Sequence, residues 1–128
     1  MAADNLIEHI LSQLSVGPEI FVKDLTPRRD YLHIRDLGRA ITAILKKGFQ
    51  SYAVYNIGSG YSMSVEEIIS KIQHAAGTKM KISSSNETRK NEIPDCYADT
   101  SAIFRDYGWA AEIPFERGIE ELLGESRT

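Results

Sequence analysis

The chain has 128 residues, within the roughly 100–150 of a typical domain, and a chain of that size buries about two thirds of its unfolded surface. Hydrophobic residues at 42% and charged residues at 26% exclude a disordered or collagen-like chain. Fifteen basic against eighteen acidic side chains give a net charge of −3, with no basic excess to draw it onto nucleic acid or anionic lipid. No apolar run approaches the roughly 20 residues that span a bilayer, and the first residues lack the apolar core of a signal peptide. Cys96 is the single cysteine, which excludes an internal disulfide or a cysteine zinc cluster. These features predict a cytoplasmic protein without membrane or nucleic-acid partners.

No repeat or linker interrupts residues 1–128, which read as one unit. Asp4 or Asn5 can cap a first helix in which Leu6, Ile7, Ile10, Leu11 and Leu14 recur at helical spacing; Gly17-Pro18 ends it. Residues 19–23 read as a short strand, 24–30 as a polar loop with Pro27 and paired arginines, and 31–34 as another extended piece. Asp36 is positioned to cap a strong helix whose apolar face is Leu37, Ala40, Ile41, Ile44 and Leu45, with Lys46, Lys47 and Gly48 as C-terminal signals.

Residues 52–57, nearly all apolar, have the character of a parallel strand covered on both faces. That run stops at Gly58-Ser59-Gly60. Ser64 and Glu67 form a capping box ahead of Val65, Ile68, Ile69 and Ile72, and Gly77 closes this helix. Residues 80–83 predict a strand and 84–92 a polar loop. Asp99 can cap a short helix through Tyr107. Pro114 opens a last helix with Phe115, Ile119, Leu122 and Leu123 facing inward. Strands alternating with helices predict an α/β fold. The run 52–57 has no long partner strand in the chain, so its amides need either the short strands or a further domain.

The chemistry-bearing residues are few. Gly58-Ser59-Gly60 follows a strand, as a dinucleotide-binding loop does, but Met63 holds the third glycine position and no acid follows at the required distance. It reads as a tight turn. Arg28-Arg29-Asp30 and Thr88-Arg89-Lys90 lie in separate polar loops. Guanidinium forks converging from two loops suit a pyrophosphate, although exposed arginines are more often only solvated. His9, His33 and His74 stand on separate elements without metal-ligand spacing. Cys96 has no base beside it and reads as a small, semi-buried residue. No residue presents itself as a catalyst.

Residues 29–37 read RDYLHIRDL, 54–60 VYNIGSG, 64–68 SVEEI, 97–101 YADTS and 107–109 YGW. In this order and spacing they resemble the C-terminal part of the NAD(P)-dependent nucleotide-sugar epimerases and dehydratases, of the extended short-chain dehydrogenase/reductase superfamily. The resemblance implies a substrate-binding portion of a Rossmann-type α/β protein, helices with a few short strands, with 52–57 as the last strand of a sheet whose dinucleotide-binding half is not in this sequence. It further implies that Arg29 and Arg89 hold the nucleotide pyrophosphate and Glu92 the ribose. Asn5 and Leu6 would touch the diphosphate, and Phe21 and Val22 the base. The ligand would be a UDP-, dTDP-, GDP- or CDP-sugar.

The family uses NAD or NADP, bound by a glycine-rich loop, and a Tyr-x-x-x-Lys pair; none of the six tyrosines here is followed four residues later by lysine. Ala102 also stands where a lysine is common, and 23–28 departs from the usual glycine-rich turn. The cofactor is therefore expected not to bind this chain alone. Two functions follow from the resemblance: part of an epimerase, dehydratase or reductase, inactive without a Rossmann half supplied as a separate chain, or a non-catalytic nucleotide-sugar-binding or assembly module. An exposed half-interface favours a homo-oligomer.

Overall fold

The computed structural model describes residues 5–14, 16–48 and 53–127, with the backbone alone for 125–127. Asp4 and Tyr52 lie outside the described residues. Along the chain run α1 (Leu6–Gln13), β1 (Glu19–Val22), β2 (Arg28–Arg29), α2 (Ile34–Lys47), β3 (Met63–Ser64), α3 (Val65–Ala76), β4 (Lys81–Ser84), α4 (Ser101–Tyr107) and α5 (Phe115–Arg127).

Helix α1 starts where a side chain can satisfy its first amides: Asn5 Oδ1 accepts from Ile7 N at 3.0 Å and Glu8 N at 3.4 Å. Its inner residue Ile10 is fully buried. β1 pairs in parallel with β4, Ile20 opposite Ile82 and Val22 opposite Ser84. Because side chains alternate along a strand, Ile20 and Val22 enter the core while Phe21, 44% exposed, points out. Ser64 and Glu67 form the expected reciprocal cap of α3, and Gly77 closes that helix with φ 72°. The main core lies where Ile68, Ile69 and Ile72 of α3 meet Ile10, Ile20 and Ile119.

A second, smaller core joins Ala40 of α2, Ile103 of α4 and Trp109. Asp36 builds it, and not as the expected cap. The N-cap of α2 is His33, whose Nδ1 accepts from Arg35 N at 3.0 Å. Asp36 is fully buried one turn on, where its Oδ2 accepts from Glu112 N at 3.1 Å and Ile113 N at 2.9 Å. Its Oδ1 accepts from Arg39 Nη2 at 2.7 Å, and its carbonyl from Trp109 Nε1 at 3.1 Å. A carboxylate that meets two orphan amides across the fold serves them rather than its own helix. Burial pushes this carboxyl up, but the Arg39 guanidinium and the two amides hold it below the usual carboxylate range.

Other expectations are corrected in detail. Asp99 lies one residue before the N-cap Thr100 and accepts from Ser101 N at 3.0 Å, so the turn is an Asx turn leading into α4. Leu122 is 41% exposed rather than core, and on α2 Ile41 and Leu45 are 50% and 69% exposed, since among the described residues little packs on that side. Cys96 is exposed; its N–H donates to Arg28 O, which holds the segment flat against β2. Residues 53–57, expected as a strand, pair with no strand among the described residues, and Val54 is 72% exposed. β1 to β4 form two separate two-stranded sheets elsewhere.

Candidate functional site

The seven residues singled out in the sequence line a single open cleft of about 480 Å³. Asn5 and Leu6 come from the start of α1, Phe21 and Val22 from β1, Arg29 from β2, and Arg89 and Glu92 from the loop after β4. Pairing explains how such distant residues meet. The β1–β4 ladder continues as Glu87 N bonding Lys23 O at 2.8 Å, which carries the loop bearing Arg89 alongside β1. β2 is bonded to β3 on one side and to residues 94–96 on the other, through Arg28 N to Pro94 O and Cys96 N to Arg28 O. Glu92 and Ile93 thereby arrive beside Arg29.

Arg29 is held rigidly. Its Nη1 donates to Arg28 O at 2.7 Å and Ile93 O at 2.6 Å, and its Nη2 to Glu92 Oε1 at 3.1 Å. A guanidinium has five N–H groups, so Nε–H and one Nη2–H remain for an anion. Glu92 thus orients the arginine. Arg28, its neighbour, faces elsewhere, bonded to Ser62 and Glu67. Arg89 is exposed and makes no side-chain hydrogen bond or ion pair among the described residues. Val22 is only 4% exposed and contributes wall rather than a reaching side chain, whereas Phe21 offers its ring. The Phe21 N–H and C=O are both engaged by the Gln13 amide, at 2.7 and 2.9 Å.

Asp30 anchors the other side of β2. Its Oδ1 accepts from Ser59 N at 2.8 Å and Ser59 Oγ at 2.6 Å, and its Oδ2 from Gly60 N and Ala98 N, both at 3.1 Å. Burial pushes the carboxyl up, but the Ser59 hydroxyl and the three amides hold it below its ordinary value. The Ser59 and Gly60 N–H groups, which a phosphate loop would point at its ligand, are therefore closed by a carboxylate.

Sequence reasoning missed Tyr31, His9 and Lys23, which also line the cleft. Tyr31 lies two residues after Arg29 in extended backbone, a spacing that places both on one face, and its ring packs edge-on against Phe115 at 5.8 Å. His9 lies four after Asn5 on α1, on the same helical face. Both signals were present in the spacing. No group of three or more His, Cys, Asp or Glu side chains suited to a metal ion occurs among the described residues, and no described helix is long and apolar enough to cross a membrane.

The sequence model of the GDP-mannose 4,6 dehydratase family matches residues 3–122. The chain belongs to this family of nucleotide-sugar epimerases and dehydratases. A UDP-glucose 4-epimerase of Bacillus subtilis is 34% identical over 119 residues, covering 91% of this chain and 34% of its own length. Family members of known structure share the fold. The crystal structure of UDP-glucose 4-epimerase from Bifidobacterium longum, in complex with NAD+ and UDP, superimposes with a TM-score of 0.78 at 27% identity, covering 95% of this chain and 38% of that one. That of dTDP-glucose 4,6-dehydratase from Bacillus anthracis, in complex with NAD, gives 0.82 at 23% identity, covering 98% and 40%. The chain thus spans little more than a third of the length of these epimerase and dehydratase relatives.

Proposed function

We propose that this chain is the nucleotide-sugar-binding portion of an NAD(P)-dependent epimerase, dehydratase or reductase, with the cofactor and the proton-transferring groups supplied by a Rossmann half outside it. The observation that carries the reading is the cleft itself, where Arg29 offers two oriented N–H groups, Arg89 a guanidinium with no side-chain partner among the described residues, and Phe21 a flat apolar wall. Two arginines for a pyrophosphate and a ring for a base are the chemistry that a nucleotide diphosphate requires. The B. longum relative, solved with UDP, lends the same direction.

The residues of this chain do not fit NAD(P). The glycine turn at 58–60 has its amides closed by Asp30, and the sequence carries no Tyr-x-x-x-Lys, so no hydride step is assigned to any residue here. When bound in the whole protein, the cofactor would supply hydride exchange at the sugar ring. What Arg29, Arg89 and Asn5 do is bind and orient the nucleotide end, leaving the sugar to the missing half. Asn5 keeps only its Nδ2 for this, its Oδ1 being the α1 cap. The exposed stripe of α2, with Ile34 and Leu45 at 72% and 69%, and the run 53–57, which pairs with no strand among the described residues, support an adjoining body that covers them, with 52–57 as the last strand of its sheet. The reading extends to a cytoplasmic homo-oligomer. The lack of a Tyr-x-x-x-Lys pair suits a non-catalytic binding module equally, and NAD(P)-dependent turnover on mixing with a Rossmann-domain partner separates the two.

A thermal-shift panel of UDP-, dTDP-, GDP- and CDP-sugars tests the reading. A ligand at a hundredfold excess over its Kd stabilises the native state by about 2.7 kcal/mol, and one base should stand out. Arg29→Ala should weaken that ligand by about 1.5–3 kcal/mol, the worth of a charge-assisted bond, without unfolding the chain. No stabilisation by any of the four would refute the cleft as a nucleotide-sugar site.

A further inference from the structure

We infer that Glu92 is a positioning residue, which acts on a bound diphosphate through Arg29 and ties the turn carrying Arg89 to that arginine; the inference rests on the cleft being the nucleotide-sugar site proposed above. Glu92 meets the two arginines by separate bonds. Its Oε1 accepts from Arg29 Nη2 at 3.1 Å, and its N–H donates to the Arg89 carbonyl at 3.1 Å. The second bond closes a four-residue turn from Arg89 to Glu92. Asn91, at φ 63°, holds the third position, where a left-handed backbone favours glycine or asparagine. Arg89 therefore stands at one end of a turn whose other end grips Arg29.

The chain is fastened on both sides of this turn. Ahead of it, Glu87 N donates to Lys23 O at 2.8 Å and Thr88 Oγ1 to Asp24 Oδ2 at 3.4 Å. Behind it, the Ile93 carbonyl accepts from Arg29 Nη1 at 2.6 Å, and Arg28 N donates to Pro94 O at 2.9 Å. Among the described residues, Glu92 is the member of the turn whose side chain bonds the rest of the fold. Two effects of its carboxylate oppose each other. Close to a diphosphate a carboxylate repels. Holding a long, rotamer-rich guanidinium in place before the ligand arrives removes an ordering cost from binding. Glu92 is the less exposed partner of the ion pair, and the Arg29 charge offsets its repulsion, so orientation decides the sign. With Nη1 and half of Nη2 engaged, Arg29 is left with one rotamer in which Nε–H and the second Nη2–H face an anion together.

The test is isothermal titration of the full chain with UDP-, dTDP-, GDP- and CDP-glucose, the best probe being carried into the variants. Glu92→Ala should bind it roughly two- to tenfold more weakly, the scale of one side chain ordered on binding, although the substitution removes a negative charge from beside an anion. Glu92→Gln keeps an oxygen for Arg29 Nη2 and should retain most of the wild-type affinity. In the Arg29→Ala background, Glu92→Ala should cause no further loss, since the carboxylate then has no arginine to hold. Equal or tighter binding by Glu92→Ala alone overturns the positioning role while leaving the cleft standing. A loss just as large without Arg29 also overturns it, because Glu92 would then touch the ligand itself. Binding of no probe by wild type overturns the cleft reading, and this inference with it.

Discussion

Replacing Asp36 with alanine is expected to lower the unfolding free energy by about 2–5 kcal/mol, a large share of the total for a domain of this size. The substitution leaves Glu112 N and Ile113 N without acceptors and releases Arg39 from its buried partner. Each orphaned group costs about 1–3 kcal/mol, and truncation adds a cavity beside Trp109. Urea unfolding followed by tryptophan fluorescence reads the effect directly, since Trp109 is the only tryptophan and bonds the Asp36 carbonyl. A loss under about 1 kcal/mol would mean that water serves both amides as well as the carboxylate does.

The same residue gives stability a pH dependence of known sign. The carboxyls of Asp36 and Asp30 are both held below their ordinary value in the folded chain. Their contribution is therefore complete above the unfolded carboxyl value of about 4 and is lost as the pH falls through the lower folded values. Urea midpoints should be level between about pH 5 and 7 and fall below about pH 4. The gap between wild type and Asp36→Asn should narrow over that acid range. A gap that widens would reverse the assignment.

Gly58→Ala is the second large effect. A methyl group there would lie 2.5 Å from Asp30 Oδ2 and 2.7 Å from Ala98 Cβ, closer than atoms can approach. Relief requires Asp30 to leave its amides or residues 97–98 to move, and overpacking of this kind costs about 1–3 kcal/mol. Gly38→Ala makes the matching control. Gly38 lies in the interior of α2 with nothing within 4 Å of an added Cβ, so alanine should stabilise by about 0.5–1 kcal/mol through helix propensity. Thermal melts of the pair should move in opposite directions; equal shifts would show that the Asp30 anchor yields freely.

Much of the fold was legible because it is decided locally. The α3 capping box, the stop at Gly77 and the alternation in β1 are set by residues within a few positions of one another, where spacing and propensity act directly. Asp36 shows where such reasoning ends. An aspartate ahead of an apolar stripe has the pattern of an N-cap, but its partners are amides 76 and 77 residues away, and no local rule sees them. His33 took the cap instead. The exposure of Ile41 and Leu45 was equally hidden: the stripe is written in the sequence, and whether anything covers it is not.

The candidate site divides in the same way. Arg29, Arg89, Glu92, Asn5, Leu6, Phe21 and Val22 could be named from ordered motifs, because motif order survives without coordinates. That Glu92 grips Arg29, that Arg28 turns away to Ser62, and that Asp30 closes the glycine turn were decided by the pairing of β2 with β3 and with residues 94–96. The sequence by itself determined the helices, the capping box of α3 and the kinds of side chain available. Tertiary structure alone decided which of them meet, because hydrogen bonds and ion pairs reach only about 3 Å while the chain separates these partners by 30 to 63 residues.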